Sequence, residues 1–409
     1  MIKFGLIGEK LNHSYSKIIH NFLGLEYTLM PLSMNEFKDF MERKEFIGIN
    51  VTIPYKEKVM PYLSFCDCKA NRIKAVNTII NDNGQLRGYN TDYEGFRYLL
   101  IHNKIEVGNK KILVLGTGGT SKTVSCVLED LGAEKVYFAS RKKQTNAFLY
   151  EEINGLEVDI LVNATPVGMF PNIDKLSISL DKLKNLETVI DVIYNPYNSK
   201  LLLEAKKRNI KAVNGLSMLV YQALSSAELF LNKHYDKHDV EKITKKLKSD
   251  LLNLVLIGMP GSGKTTLANY LARKTGKKIV DTDFEITEVE SSTVTDVFKT
   301  KGEKYFRDLE TKIIKEQASS SGVIIATGGG AVLREENMDA LRANGLIIYV
   351  DRDIEKIILD DKRPLSRTKA DLIRLYNERK EIYEKNADIT VKNNNGFSDA
   401  VDEILNNII

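Results

Sequence analysis

Cysteine is scarce: Cys66, Cys68 and Cys126 are the only three in 409 residues. Three excludes a disulfide framework and a four-ligand zinc site, and Cys66-x-Cys68 is too tightly spaced for the usual metal knuckle. Free thiols in a reducing compartment are expected. No apolar run approaches the length that spans a bilayer. The opening Met1-Ile-Lys-Phe-Gly enters a strand-like segment without the charged start and apolar stretch of a secretion signal. The protein is therefore expected to be cytoplasmic, with no membrane partner. Long polar tracts, internal repeats and low-complexity segments are also missing, which argues against disorder. Net charge is small, at +4, with basic and acidic residues intermixed, which excludes a nucleic-acid groove.

What is present reads as a multidomain enzyme. A chain of 409 residues exceeds what one core usually serves. Residues 1–249 carry a net +7 and residues 250–409 a net −3, as separate domains often differ. Short apolar runs ending in Gly or Asn alternate with helical patterns: 2–7, 46–51, 111–115, 135–139, 159–162 and 188–192. This rhythm predicts α/β units with parallel sheets. Val240, Ile243, Leu247 and Leu251 form one helical stripe, which predicts a linker helix over 236–250. The alternation starts afresh at 252–257, so a boundary is placed near residue 250.

The segment Gly258-Met-Pro-Gly261-Ser262-Gly263-Lys264-Thr265 follows a strand-like run and leads into the helical stretch from Thr266. A phosphate loop needs this context: glycines let successive N–H groups turn inward, and the helix N-terminus favours anionic oxygens. Lys264 is expected on the β- and γ-phosphates of ATP and Thr265 on Mg²⁺. Asp281 and Asp283 follow the next strand, and further along come Phe306-Arg307-Asp308-Leu309-Glu310, Gly328-Gly329-Gly330, Arg363-Pro-Leu and Arg379. Singly, each is as easily a turn glycine or a solvated arginine. In this order around a phosphate loop, the set resembles shikimate kinase over residues 252–409. The resemblance implies that Asp283 deprotonates the substrate hydroxyl and that Arg307, Arg379 and the glycine run hold the substrate. It also implies that Arg363 neutralises phosphoryl charge from a lid, and that Asp281 reaches Mg²⁺ through water. The lid between Arg363 and Arg379 is a few residues short.

The other half carries Gly116-Thr-Gly118-Gly119-Thr-Ser121 between a strand and a helix, a dinucleotide-type turn with Ser at its third small position. The next strand ends in Ser140-Arg141-Lys142-Lys143, where an NAD site would place an acid, so NADP is expected. Seven further blocks surround this turn: Asn12-His-Ser14-Tyr-Ser16, Asn50-Val-Thr52-Ile-Pro-Tyr-Lys56, Ala75-Val-Asn77-Thr78, Gly88-Tyr-Asn-Thr91-Asp92, Asn163-Ala-Thr165-Pro-Val-Gly-Met169, Asp191-Val-Ile-Tyr194-Asn-Pro196 and Gly215-Leu-Ser-Met218-Leu-Val-Tyr-Gln222. Together they resemble shikimate dehydrogenase over residues 1–232. Ketone reduction needs a proton donor, and this half has no His and Cys set for a catalytic zinc. Lys56 beside Asp92 is the expected pair. The resemblance implies that Ser14 and Ser16 bind the substrate carboxylate, that Thr52, Asn77, Gln222 and Tyr194 contact the rest of it, and that Thr165, Gly215 and Met218 line the cofactor.

The expected architecture is a two-lobed dehydrogenase followed by a P-loop kinase domain (251–409). The substrate lobe covers 1–103 and is completed by 215–235; the Rossmann NADP lobe covers 104–214. Lys74 stands where relatives commonly have Gly, and only 21 residues separate Arg141 from Asn163. That gap predicts a trimmed cofactor lobe with one strand missing. The expected substrates are 3-dehydroshikimate and shikimate. Two other readings stay open: one half is a degenerate regulatory binding module, or the dehydrogenase prefers quinate. Oligomeric state stays open too.

Overall fold

A computed structural model describes residues 2–11, 15–357, 368–394 and 396–408. It divides into two compact units, Met1–Tyr194 with Glu204–Leu247, and Asn195–Leu203 with Lys248–Ile409.

The first unit holds two six-stranded sheets. One is mixed, built from β1 (Ile2–Gly8), β2 (Tyr27–Pro31), β3 (Phe46–Val51), β4 (Phe65–Cys66), β5 (Thr78–Asp82) and β6 (Gln85–Tyr89), in the order β2-β1-β3-β5-β6-β4. β1 pairs in parallel with β2 and β3, whereas β5 runs antiparallel to β3 and β6. The β5–β6 hairpin turns at Asn83-Gly84, both at positive φ (51° and 86°), which matches the two-residue turn that a right-twisted hairpin prefers. Phe37, Phe46, Ile49, Tyr55 and Ile79 fill the core against this sheet.

The other sheet is parallel throughout: β7 (Lys111–Leu115), β8 (Lys135–Ser140), β9 (Phe148–Leu149), β11 (Ile160–Asn163), β13 (Thr188–Asp191) and β14 (Lys211–Asn214), in the order β14-β13-β11-β7-β8-β9. β10 (Leu156–Glu157) and β12 (Leu183–Lys184) form a separate two-stranded sheet. β11 and β13 are buried at every residue, as strands covered on both faces must be. Strand order reverses between β7 and β11, which opens a crevice beyond their carboxyl ends. The expectation of a missing strand is corrected here: β9 is present, cut to two residues. What the short segment gives up is helix, since residues 141–159 contain none. Two helices of ordinary length cannot fit into 21 residues beside a strand.

In the second unit β15 (Asn253–Ile257), β16 (Ile279–Asp281), β17 (Ile324–Ala326), β18 (Gly345–Asp351) and β19 (Ile389–Lys392) form a parallel sheet in the order β16-β17-β15-β18-β19. β15 is wholly buried and central, so the loop that follows it emerges between two neighbours. The stripe helix runs Lys237–Leu251, with Val240, Ile243 and Leu247 buried.

Lys74 sits at φ 60° and caps the helix Cys68–Ile73 in the left-handed conformation that glycine adopts freely. A side chain there carries a cost of about 1 kcal/mol. Lys74→Gly is expected to stabilise the protein by roughly 0.5–1 kcal/mol, read as a rise in the urea midpoint at unchanged slope.

Candidate active sites

The helix Thr91–His102 begins with Asn90, whose side chain accepts from the Tyr93 amide. Asp92 therefore stands in the first turn, where the helix dipole favours a carboxylate. Its Oδ2 lies 2.5 Å from Lys56 Nζ, and both side chains are mostly shielded from solvent. The Lys56 carbonyl accepts from the Val76 amide, which ties the lysine loop to the strand side. Behind the pair, Asn77 Oδ1 accepts from the Thr91 amide (2.7 Å) and Asn77 Nδ2 donates to Thr91 Oγ1 (3.1 Å). Asn50, Thr78 and Ser226 extend this into a buried polar network.

Lys56 lines a cleft of about 850 Å³ together with Gly116, Gly118, Gly119, Ser140, Arg141, Lys142 and Thr165. Gly116 and Thr165 follow β7 and β11, at the strand-order reversal. A Cβ built on Gly118 or Gly119 would meet nothing within 4 Å, so open space lies over the turn. Ser121 Oγ is buried in the first turn of the helix Gly119–Asp130 with no hydrogen-bond partner. With exposed Arg141 and Lys142 on the rim, this donor set fits an anionic dinucleotide. Thr165 Oγ1 donates to Asn163 Oδ1 (2.7 Å), and Asn163 in turn donates to Asp191, which fixes the second wall.

Other expected residues lie outside this cleft's lining. Thr52 is half-buried at the end of β3, and Ser16 is buried at the start of the helix Ser16–Phe22. The Tyr194 ring tilts against that of Tyr15, 5.4 Å between centroids. Gln222 donates to the Leu219 carbonyl within its own helix, Leu216–Leu231. Gly215 precedes that helix, and its missing Cβ admits the Val192 carbonyl. Met218 is buried in the same cluster as Tyr93, Phe96 and Val114. Ser14 lies outside the described residues. Glu57, Gln144 and Tyr150 line the cleft and were not anticipated, because no motif marks them.

In the second unit, Gly258, Gly261 and Gly263 all take positive φ, and the helix Lys264–Thr275 starts directly behind them. Lys264 Nζ donates to the carbonyls of Gly258 and Met259, both at 3.0 Å. Ser262 Oγ is buried without a partner. Thr265 Oγ1 donates to Asp281 Oδ2 at 2.8 Å. Hydroxyl and carboxylate oxygens suit Mg²⁺, which usually keeps several waters and binds with substrate phosphates; Thr265 and Asp281 therefore fit it. Thr266 also lines the cleft.

A cleft of about 450 Å³ brings this loop together with Asp281, Asp283, Arg307, Glu310, Gly328, Gly329, Gly330, Arg352 and Arg379. Asp281 caps the helix Thr282–Glu290, accepting from the amides of Asp283 and Phe284, and so sets Asp283 in its first turn. Arg307 Nη1 donates to Glu310 Oε2 at 2.7 Å, deep in the wall. Gly328 and Gly330 explain the glycine run. A Cβ on Gly328 would stand 2.7 Å from Asp283 Oδ1, and one on Gly330 would collide with the Arg307 guanidinium. Arg379 Nη1 and the Tyr383 hydroxyl both donate to the Gly329 carbonyl. Glu310 closes the Phe306–Glu310 block, whereas Tyr383 and Asn393, which donates to the Ser262 carbonyl, are supports that no motif pointed to. Arg363 and residues 364–367 of the expected lid lie outside the described residues, and the rest of that segment, from Lys369, is helix.

Burial first, then the charges of Asp281 and Glu310, push the Asp283 carboxyl up to about 6 against the pull of Lys264 and Arg307. Glu310 is raised too, chiefly by burial, with Arg307 opposing.

A curated relative from Clostridium beijerinckii, "Shikimate dehydrogenase (NADP(+))", is 39% identical over 264 residues, covering 60% of this chain and 96% of the relative. The chain belongs to the shikimate dehydrogenase family. The family model for the shikimate dehydrogenase substrate binding domain matches residues 6–79, and that for shikimate kinase matches residues 260–409. The crystal structure of shikimate dehydrogenase 1 from Peptoclostridium difficile is 38% identical with a TM-score of 0.56, covering 60% of this chain and 98% of that one. A Thermus thermophilus shikimate 5-dehydrogenase, solved in complex with NADP(H) and shikimate, is 29% identical with a TM-score of 0.54, covering 60% and 99%. This is a bifunctional enzyme of the shikimate pathway, with a dehydrogenase half and a kinase half. Among the described residues no helix is long and apolar enough to cross a membrane.

The raised Asp283 carboxyl carries a stability consequence. Its folded-state value exceeds the ordinary 3.8, so its contribution is complete below 3.8 and is lost as pH rises through about 6. Asp283→Asn is expected to raise the thermal midpoint of the kinase half at pH 8 by about 4–8 °C, the equivalent of roughly 2 kcal/mol. The gain should shrink toward pH 5. A midpoint shift independent of pH would show that packing rather than charge is responsible.

Proposed function

We propose that the first half reduces 3-dehydroshikimate to shikimate with NADPH and that the second phosphorylates shikimate on its 3-hydroxyl with ATP. The observation that carries this is a shared arrangement: in each half, the acid–base group lines the same cleft as the glycine-rich turn.

NADPH, when bound over Gly116, Gly118 and Gly119, supplies the hydride. Lys56 gives the ketone oxygen its proton, and Asp92 at 2.5 Å holds the lysine side chain in place. Arg141 and Lys142 meet the 2′-phosphate, and Ser140 supports them by accepting from the Lys142 amide. Ser14, Ser16, Thr52, Asn77, Tyr194 and Gln222 hold the substrate, and Thr165 and Gly215 border the cofactor.

In the second half Arg307 and Arg379 hold the shikimate carboxylate over the Gly328-Gly329-Gly330 floor. Asp283 takes the proton of the attacking hydroxyl. Lys264 and the loop amides hold the transferring phosphate, Thr265 and Asp281 hold Mg²⁺, and Arg363 adds a cation from the lid. The ion neutralises phosphate charge when bound.

Two substitutions test the assignment. Lys56→Ala is expected to lower dehydrogenase kcat at least 100-fold and leave the kinase rate within twofold. Lys264→Ala should do the reverse. Loss of both activities from either change, in protein that still unfolds cooperatively, would refute independent sites. Because the Asp283 carboxyl lies at about 6, kinase kcat/KM should fall tenfold per pH unit below that value. Mass analysis of product from 3-dehydroshikimate, NADPH and ATP, with quinate as a comparison substrate, identifies the chemistry.

A further inference from the structure

Sheet order divides the kinase cleft. On the β16–β17 side of the phosphate loop stand Asp283 and Gly328-Gly329-Gly330, the cluster assigned above to the phosphoryl acceptor. On the β18–β19 side the cleft is lined by Arg352, one residue beyond β18, and by Phe397, five residues beyond β19. The Phe397 ring stacks on Tyr270 at 5.4 Å, and a Cβ on Gly263 would stand 3.0 Å from its edge. The second side therefore adjoins the loop through Gly263 and is left for the remainder of the phosphoryl donor.

Arg352 is set apart from the other cations of this cleft. Arg307 is paired with Glu310, Arg379 donates to the Gly329 carbonyl, and Lys264 donates to the loop. Arg352 Nε is shut from solvent and meets no acceptor among the described residues. The acid that precedes it in sequence is engaged elsewhere: Asp351 accepts from the Tyr349 hydroxyl. Leaving a buried charged donor without an acceptor costs free energy. A planar fork beside a phosphate loop and a ring face offers what a nucleotide needs: donors for phosphate oxygens and a flat cation for the base.

We propose that Arg352 binds ATP on the side of the phosphate loop away from shikimate. This rests on the kinase reading above and assigns a nucleotide-binding residue that the motifs do not mark. Arg352→Met keeps the length of the stem and removes every donor. In the full chain it is expected to raise the KM for ATP at least tenfold and weaken ADP binding by a similar factor in calorimetric titration. KM for shikimate and the dehydrogenase rate should stay within twofold. Arg352→Lys, which keeps the charge but not the fork, should recover only part of the ADP affinity.

ADP affinity within twofold of wild type for Arg352→Met overturns the proposal. So does an equal rise in both KM values with a lower thermal midpoint, which would mark a structural role. If Arg352→Met does not fold, Arg352→Gln is titrated with ADP under the same criteria. Should wild type bind ADP yet leave shikimate unphosphorylated, the substrate assignment fails, while the ADP titrations still decide the role of Arg352.

Discussion

Parallel hydrogen bonding around two central strands, β7 and β15, is the constraint on which both sites depend. A parallel strand must return by a crossover, so consecutive carboxyl ends collect on one edge of the sheet. Where the order reverses, at β7–β11 in one half and beside β15 in the other, the loops part and leave a crevice. Gly116 and Thr165 border the first crevice, and the Gly258–Thr265 loop lies in the second. Neither loop has to create its own cavity. Each needs only to expose backbone donors into one that the sheet already provides.

The two halves meet the same electrostatic demand differently. Lys56 and Asp92 form a single ion pair near a helix N-terminus, close enough to solvent that neither charge is stranded. The kinase cleft instead crowds Asp281, Asp283 and Glu310 against Lys264, Arg307 and Arg379. Crowding and burial raise Asp283 to about 6. A carboxyl in that range is still ionised at neutral pH yet basic enough to accept a hydroxyl proton, which an ordinary exposed Asp is not.

The two glycine-rich turns, the Lys56–Asp92 pair and the residues of the glycine triplet were legible in the sequence because their chemistry depends on short spacing. Strand positions in both parallel sheets were legible where apolar runs are continuous, as in β7 and β15. The β5–β6 hairpin was missed although Asn83-Gly84 marks it, and β9 was missed because two residues carry no periodicity. Tyr383, Asn393 and Arg352 were silent for another reason. Each acts by reaching a backbone carbonyl, a distant side chain or an empty part of the cleft, and those relations exist only after the sheet has formed.

The Arg307–Glu310 pair shows what a supporting residue contributes. A buried ion pair is a poor source of stability, because desolvation offsets most of its Coulombic gain. Glu310 also keeps one oxygen, Oε1, buried without a partner. Stability therefore does not account for the pair. Its effect is orientation: Glu310 takes Nη1 of Arg307, the absence of a side chain at Gly330 lets the guanidinium lie close against the backbone, and Nη2 reaches Glu303 at 3.5 Å. An arginine fixed along one edge loses less freedom when its other edge receives a carboxylate. The glycine and the buried glutamate are thus two parts of one device. Altering either would loosen the arginine without touching any substrate atom.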